Sequence, residues 1–296
     1  MYIQAQRQKQ YPGSEISIEE TLDRGVNYSR YIASYLSDGL KIYGLLTIPD
    51  GEEPPSGWPA IVFIHGYIPP DQYRTTERYI AYVDWLARSQ YMVFRIDLRG
   101  HDLSEGEARG AYGDPGYTTD VLNAVSSLQG YPAADPERIG MWGHSMGGFL
   151  TLRAMVISPV IKTGVIWGGV VGSYADMLAR WRRGGPTPTP IPSRFRWRQT
   201  WVEMYGAPEE NPDFWNAISA NAFLSELSSP LQLHHATDDD EVPIFFSQEL
   251  YKQLLEMGKT VEYYIYKDDN HNISNSFNQA MTRTIFFFDR YLKGIP

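Results

Sequence analysis

The chain reads as an α/β protein: a mostly parallel, doubly wound sheet with helices on both faces and a cap insertion. Three observations predict this. From residue 60 onward, short apolar runs alternate with segments of helical periodicity, the pattern of repeated βαβ units. The runs are continuously apolar, as in strands covered on both faces. The alternation breaks once, over residues 172–215, where Arg-Trp-Arg-Arg-Gly-Gly-Pro-Thr-Pro-Thr-Pro-Ile-Pro stands in place of a compact βα unit.

The elements follow in order. Residues 1–30 are polar and read as an irregular N-terminal extension, with the main domain over residues 31–296. Residues 31–48 read as a hairpin, two alternating stretches around Ser37-Asp38-Gly39, because Asp-Gly is a strong turn signal. Ala60–His65 is a buried strand. Thr75–Ser89 is a helix with Ile80, Val83 and Leu86 on one side. Tyr91–Leu98 is a strand, Thr118–Leu128 a helix, Arg138–Trp142 a strand, Gly147–Ile157 a helix and Lys162–Trp167 a strand. After the insertion come Leu231–His235 (strand), Phe245–Met257 (helix), Val261–Tyr266 (strand) and Ser276–Leu292 (helix).

Composition excludes several function classes. Of the 296 residues, 43% are hydrophobic and 21% charged, enough to bury a sizeable core. A net charge of -9 argues against nonspecific nucleic-acid binding, which needs a basic surface. With no cysteine, disulfides, thiolate catalysis and Cys-ligated zinc are out. No apolar run approaches the roughly 18 residues of a membrane span. The first ten residues lack the apolar segment of a signal peptide. A cytoplasmic location is the default expectation, with a trimmed secreted form as the alternative.

The chemistry centres on Gly143-His144-Ser145-Met146-Gly147. A strand precedes it and a helix follows. Small residues two before and two after a serine let the chain turn sharply and lift the hydroxyl above the carboxyl edge of the sheet. The Met146 amide then lies at a helix N-terminus, where an oxyanion would form. The pentapeptide alone also arises by chance, so its partners decide.

A serine hydroxyl needs a general base. Of six histidines, His144 points away from Ser145, His65 and His101 follow strands, and His234 and His235 lie within one. Adjacent strand residues face opposite ways, so His234 and His235 cannot readily share a zinc ion. His271 follows a strand and a short loop, at the carboxyl edge where ligands bind in such sheets. Between serine and histidine, Asp238, Asp239 and Asp240 follow another strand, and position does not separate them. A second oxyanion donor fits Ile64-His65-Gly66-Tyr67: Gly66 lets the backbone bend and the Tyr67 amide can face Ser145.

These residues carry a family resemblance. The chain resembles an α/β-hydrolase, specifically the catalytic domain of the prolyl-oligopeptidase family and its esterase-like relatives, from about residue 31 to the end. The shared signatures are His65-Gly66-Tyr67, Asp97-Leu98-Arg99-Gly100-His101, Gly143-His144-Ser145-Met146-Gly147-Gly148, Asp239-Asp240-Glu241-Val242-Pro243 and Asn270-His271-Asn272. Asn211-Pro212-Asp213-Phe214-Trp215 and Ser229-Pro230 resemble the family's approach to its acid-bearing strand. In the family the acid stands three residues before the Val of Val-Pro, which selects Asp239. The sequence departs at Asp102 and Ala236, where the family often has glycine. The family's peptidases also carry an N-terminal β-propeller of roughly 160 residues or more. Only about 30 precede the pattern here, which favours an esterase over a peptidase.

The resemblance implies acyl transfer by Ser145, with His271 as base, Asp239 as its orienting acid, and the amides of Tyr67 and Met146 as oxyanion hole. Activity is expected to fall as the medium acidifies and His271 takes up a proton. No metal or organic cofactor is required. The expected substrate is a small-molecule ester. An aminopeptidase or acylaminoacyl-peptidase acting on short peptides is the alternative, with Glu203, Glu209 and Glu210 available in the cap to meet an amino group. A fold kept only for binding is a third reading. Between Asp176 and Thr200 stand six arginines, Arg180, Arg182, Arg183, Arg194, Arg196 and Arg198, with Trp181, Trp197 and, just beyond, Trp201 among them. Either Arg196 and the tryptophans receive aromatic or carboxylate-bearing substrates, or the arginines form a solvated face while the tryptophans pack inward. Prolines 186–192 suggest a stiff connector.

Overall fold

Residues 1–30 are better ordered than their polar composition suggests. The computed structural model describes residues 1–181 and 196–295. Within it Ile3–Gln8 form a short helix (α1) and Ser17–Leu22 a strand (β1). The expected irregular extension is therefore corrected. Ile3 and Ile16 are buried. The Arg153 guanidinium donates to Gln6 Oε1 at 3.0 Å and to the Met1 carbonyl. The amides of Gly13 and Ser14 donate to Asn123 and Ser127, both at 2.9 Å. Backbone pairing holds β1 whatever its side chains, and these long-range ties leave no local periodicity to read.

Tyr28–Ser37 (β2) and Leu40–Pro49 (β3) form the expected hairpin, with Ser37 opposite Leu40. Asp38 and Gly39 close it with φ of 52° and 80°, as a two-residue type I′ turn requires. Then come Trp58–Ile64 (β4), Ile80–Arg88 (α2), Met92–Ile96 (β5), Gly116–Gln129 (α3), Ala134–His144 (β6), Met146–Ile157 (α4) and Thr163–Trp167 (β7). The cap contributes Tyr174–Arg180 (α5), Arg196–Tyr205 (α6) and Pro212–Ile218 (α7). Leu231–Ala236 (β8), Phe245–Glu256 (α8), Val261–Tyr266 (β9) and Phe277–Phe288 (α9) complete the chain, with a wide turn over Asp289–Lys293.

The nine strands form one sheet in the order β1-β2-β3-β5-β4-β6-β7-β8-β9. The β1, β2 and β3 pairings are antiparallel, including β3 with β5, and the remaining pairs are parallel. Side-chain alternation shows why the central strands read as continuously apolar. Val62 and Ile64 of β4 enter one core with α3 and α4, whereas Ile61 and Phe63 enter the other with α2 and α9. All twelve residues of α4 are buried. The nucleophile candidate therefore directly precedes a helix enclosed on every side.

Two helix boundaries differ from expectation by more than two residues. Helix α2 begins at Ile80 rather than Thr75, because Thr75 turns its hydroxyl to Asp97 and Asp102, and Arg78 and Tyr79 take φ of 57° and 50°. Helix α9 loosens after Phe288. In the cap, prolines 186–192 and Arg182, Arg183 and Arg194 lie outside the described residues.

Candidate active site

Ser145 follows the last residue of β6 and precedes α4, with φ 56° and ψ -114°, a strained backbone for a residue with a side chain. The surroundings enforce it. Its N–H donates to the Trp167 carbonyl at 2.9 Å, and its carbonyl accepts from Gly148 at 3.0 Å and Val170 at 3.1 Å. The flanking glycines are required by space. A Cβ on Gly143 would lie 2.3 Å from the Gly147 carbonyl oxygen, and one on Gly147 would lie 2.1 Å from that of Ile64. Both contacts are backbone against backbone and cannot relax.

His271 and Asp239 stand on the loops after β9 and β8. His271 Nδ1 donates to Asp239 Oδ2 at 2.7 Å. The other carboxylate oxygen accepts from the amides of Glu241 and Val242 at 3.0 and 2.8 Å. Asp239 is the aspartate of the three that His271 bonds; Asp238 and Asp240 are exposed. His235 completes the arrangement. Its Nε2 faces Asp239 Oδ2 at 3.1 Å and the Val242 carbonyl at 3.0 Å, and its Nδ1 meets Ser247 Oγ at 2.7 Å. Two acceptors at Nε2 place a proton there. Burial alone would raise the Asp239 carboxyl, but the hydrogen bonds and charges of His235 and His271 outweigh it and hold it below the usual carboxylate range.

The loop that carries His271 has its own frame. Asp269, buried, accepts the amides of Asn270, Asn275 and Ser276, and Asn270 Oδ1 accepts those of Asn272 and Ser274. Behind the pair sits Gly168, with φ 50°. A Cβ there would come within 3.0 Å of His271 Nδ1 and 3.2 Å of Asp239 Oδ2. His271 and Ser145 line one open cleft of about 720 Å³ with Gly66, Tyr67, Asp240 and Glu241. No hydrogen bond joins Ser145 to His271 among the described residues, and such bonds are commonly long before substrate arrives.

Gly66 abuts Ser145: a Cβ on it would lie 3.2 Å from Ser145 Cβ and 2.7 Å from the Tyr79 hydroxyl. Tyr67 follows it into the cleft. Met146 opens α4, so its amide is among those a helix leaves without an internal partner.

The remaining sequence-predicted residues lie in the cap. Trp197 and Trp201 pack in an aromatic cluster with Tyr174, at 5.4 and 5.8 Å between ring centroids. Trp181 is buried and donates its indole N–H to the Glu241 carbonyl at 2.9 Å, just behind the cleft rim. None of these three is among the cleft-lining residues. Arg196 begins α6, and its side chain lies outside the described residues. Arg198 donates to the Trp181 carbonyl at 2.8 Å and sits 5.1 Å from its ring centroid. Sequence reasoning missed His235, Gly168, Tyr79 and Asp269. Strand alternation offered one signal, since it puts His235 on the face opposite His234.

Comparison with known proteins bears on the family and the fold. The prolyl oligopeptidase family model matches residues 78–294. An uncharacterized peptidase, YtmA, of Bacillus subtilis (strain 168) is 25% identical over 267 residues, covering 86% of this chain and 91% of that protein. The acylaminoacyl peptidase of Pyrococcus horikoshii superposes with a TM-score of 0.70 at 26% identity, over 90% of this chain but only 42% of that one. An acetyl xylan esterase from a Paenibacillus species shares the fold, with a TM-score of 0.68 at 20% identity over 96% of this chain and 92% of that one. The chain belongs to the prolyl oligopeptidase family and is a serine hydrolase with an α/β-hydrolase fold.

Proposed function

We propose that the protein hydrolyses carboxylic esters with small acyl groups through Ser145, His271 and Asp239. The observation that carries this reading is the 2.7 Å bond from His271 Nδ1 to a buried, doubly braced Asp239, in the same cleft as a serine held at positive φ. Ser145 Oγ attacks the acyl carbon while His271 Nε2 takes its proton. Asp239 stays ionised, keeps the proton on Nδ1 and stabilises the imidazolium. The amides of Tyr67 and Met146 receive the oxyanion, each worth about 3 kcal/mol to the transition state. The leaving alkoxide takes the proton from His271. Water then repeats the sequence on the acyl-enzyme and frees Ser145. Polar groups dominate the cleft walls, which suits short acyl groups better than long chains.

One observation favours a second reading. Asp240 and Glu241 line the cleft beside Ser145, where a substrate's free α-amino group would find acidic partners, as an aminopeptidase needs. A panel of p-nitrophenyl esters and aminoacyl p-nitroanilides separates the two. The proposal expects ester turnover with an optimum at short acyl chains, abolished in Ser145→Ala. Anilide cleavage faster than ester cleavage, with weakened KM in Asp240→Asn, would replace it by the peptidase reading.

A further inference from the structure

Four hydrogen-bonding groups, none of them a side chain of the proposed triad, form one unbroken chain across the site. Gly66 N–H donates to the Tyr79 hydroxyl at 2.9 Å. That hydroxyl lies 2.7 Å from His144 Nδ1. His144 Nε2 lies 3.1 Å from the backbone carbonyl of His271. The ends fix the direction of every bond. A carbonyl only accepts, so Nε2 carries the proton. Burial, followed by the charge of His271, lowers His144 to about 3, so its ring is neutral and Nδ1 is an acceptor. Tyr79 therefore donates to Nδ1 and receives the Gly66 N–H on its own oxygen.

The chain joins the two loops whose spacing matters most. Gly66 directly precedes Tyr67, and His271 is the proposed base. Its middle member, His144, directly precedes Ser145. Tyr79 is not placed there by helix propensity. Arg78 and Tyr79 both adopt left-handed backbone, which is strained for residues with a side chain. The buried Arg95 guanidinium offsets this by donating to the carbonyls of Thr75, Glu77 and Arg78, at 2.7 Å for Glu77. The buried cation thus holds the strained turn that sets the position of Tyr79.

We propose that Tyr79 and His144 are positioning residues that lock the oxyanion loop to the base loop through this Gly66–Tyr79–His144–His271 chain. The inference rests on the triad reading above. Neither side chain exchanges a proton with substrate; each sets where the Tyr67 amide and His271 Nε2 stand relative to Ser145. Tyr79→Phe keeps the ring but removes the link, leaving the Gly66 amide and His144 Nδ1 without their partner. His144→Gln retains an acceptor and a donor in a similar span, whereas His144→Leu retains neither.

The test is steady-state kinetics on p-nitrophenyl acetate with wild type, Tyr79→Phe, His144→Leu, His144→Gln, the Tyr79→Phe/His144→Leu double variant and Ser145→Ala. Misplacement by a fraction of an ångström costs on the order of 10- to 100-fold. The expected result is that loss in kcat with KM changed less than threefold for Tyr79→Phe and His144→Leu, recovery of most of it in His144→Gln, and a double variant no worse than the poorer single. Multiplying losses in the double variant, or losses confined to KM, would overturn the proposal. So would kcat within twofold of wild type in Tyr79→Phe. If either single variant fails to fold by circular dichroism, the His144→Gln against His144→Leu comparison, or Tyr79→Phe alone, decides. Turnover surviving in Ser145→Ala would instead refute the triad reading itself, independently of what the other variants do.

Discussion

Replacing Gly168 with alanine should displace His271, the proposed base, without removing any group that the proposed chemistry uses. Gly168 directly follows β7 with φ 50°, its N–H bound to the His234 carbonyl at 2.8 Å. A Cβ there would stand 3.0 Å from His271 Nδ1, 3.1 Å from Cε1 and 3.2 Å from Asp239 Oδ2. Ordinary contact begins at 3.4 Å, so ring and carboxylate must each retreat by a few tenths of an ångström. Both are poorly placed to do so. Asp239 is held by two amides and His235, and the His271 carbonyl is held by His144. Left-handed φ costs a residue with a side chain about 1 kcal/mol. The compressed contacts cost about as much again, within the usual range for overpacking. A loss of about 2 kcal/mol lowers Tm by about 3 °C in a chain of this length. Displacement of the base should cost about 10- to 100-fold in kcat/KM. Thermal melts and p-nitrophenyl acetate kinetics on the same preparation measure both. A lowered Tm with kcat/KM within twofold of wild type would refute the reasoning, because it would mean that the His271–Asp239 pair tolerates the intrusion.

Further outcomes follow from other contacts. Asp239→Asn should lower kcat by about 10⁴-fold, since an amide cannot hold the imidazole in the required tautomer or stabilise its charge. Because the folded Asp239 carboxyl lies below its ordinary range, its stabilisation is present above that range and lost as pH falls through it; acid unfolding of Asp239→Asn should be shallower than that of wild type. Asp97 has the opposite sign. Burial raises it to about 6 despite Thr75, Arg95 and Tyr73, so its contribution is complete below about pH 4 and lost as pH rises through 6. The difference is on the order of 3 kcal/mol. Melts of Asp97→Asn should therefore lack the decline that wild type shows between pH 4 and 6, and parallel curves would refute this. Gly147→Ala should fail to fold or lose more than about 3 kcal/mol in denaturant titration, because its Cβ meets the Ile64 carbonyl; a native melt would show that the elbow can relax.

What the sequence revealed and what it withheld divide along a physical line. The hairpin was legible because Asp38-Gly39 is a local signal with a local cause. The central strands were legible because two covered faces leave continuous apolar runs, as in Ala60–Ile64. The serine elbow was legible because Gly143 and Gly147 answer to backbone contacts that recur wherever a strand turns so sharply into a helix. Strand β1 was not, because pairing with β2 holds it and its exposed side chains carry no pattern. Tyr79 was not, because its position depends on Arg95, a charged residue inside an apolar strand that reaches back to the loop before α2. Asp239 could be separated from its neighbours only by family pattern. The reason is geometric: its side chain caps the Glu241 and Val242 amides, which fixes the acid three residues before Val242. The cap tryptophans show the converse limit. An Arg/Trp-rich stretch looks the same in sequence whether it meets substrate or packs inward, and Trp197 and Trp201 pack into an aromatic cluster.

The central claim is that Ser145 is the nucleophile, activated by His271. The most direct measurement is covalent capture: incubate the protein with a fluorophosphonate, digest it, and locate the adduct by peptide mass spectrometry. The account predicts one stoichiometric adduct on Ser145, absent in Ser145→Ala and formed far more slowly in His271→Ala. An adduct on another residue, or labelling of Ser145 at the same rate without His271, would contradict it.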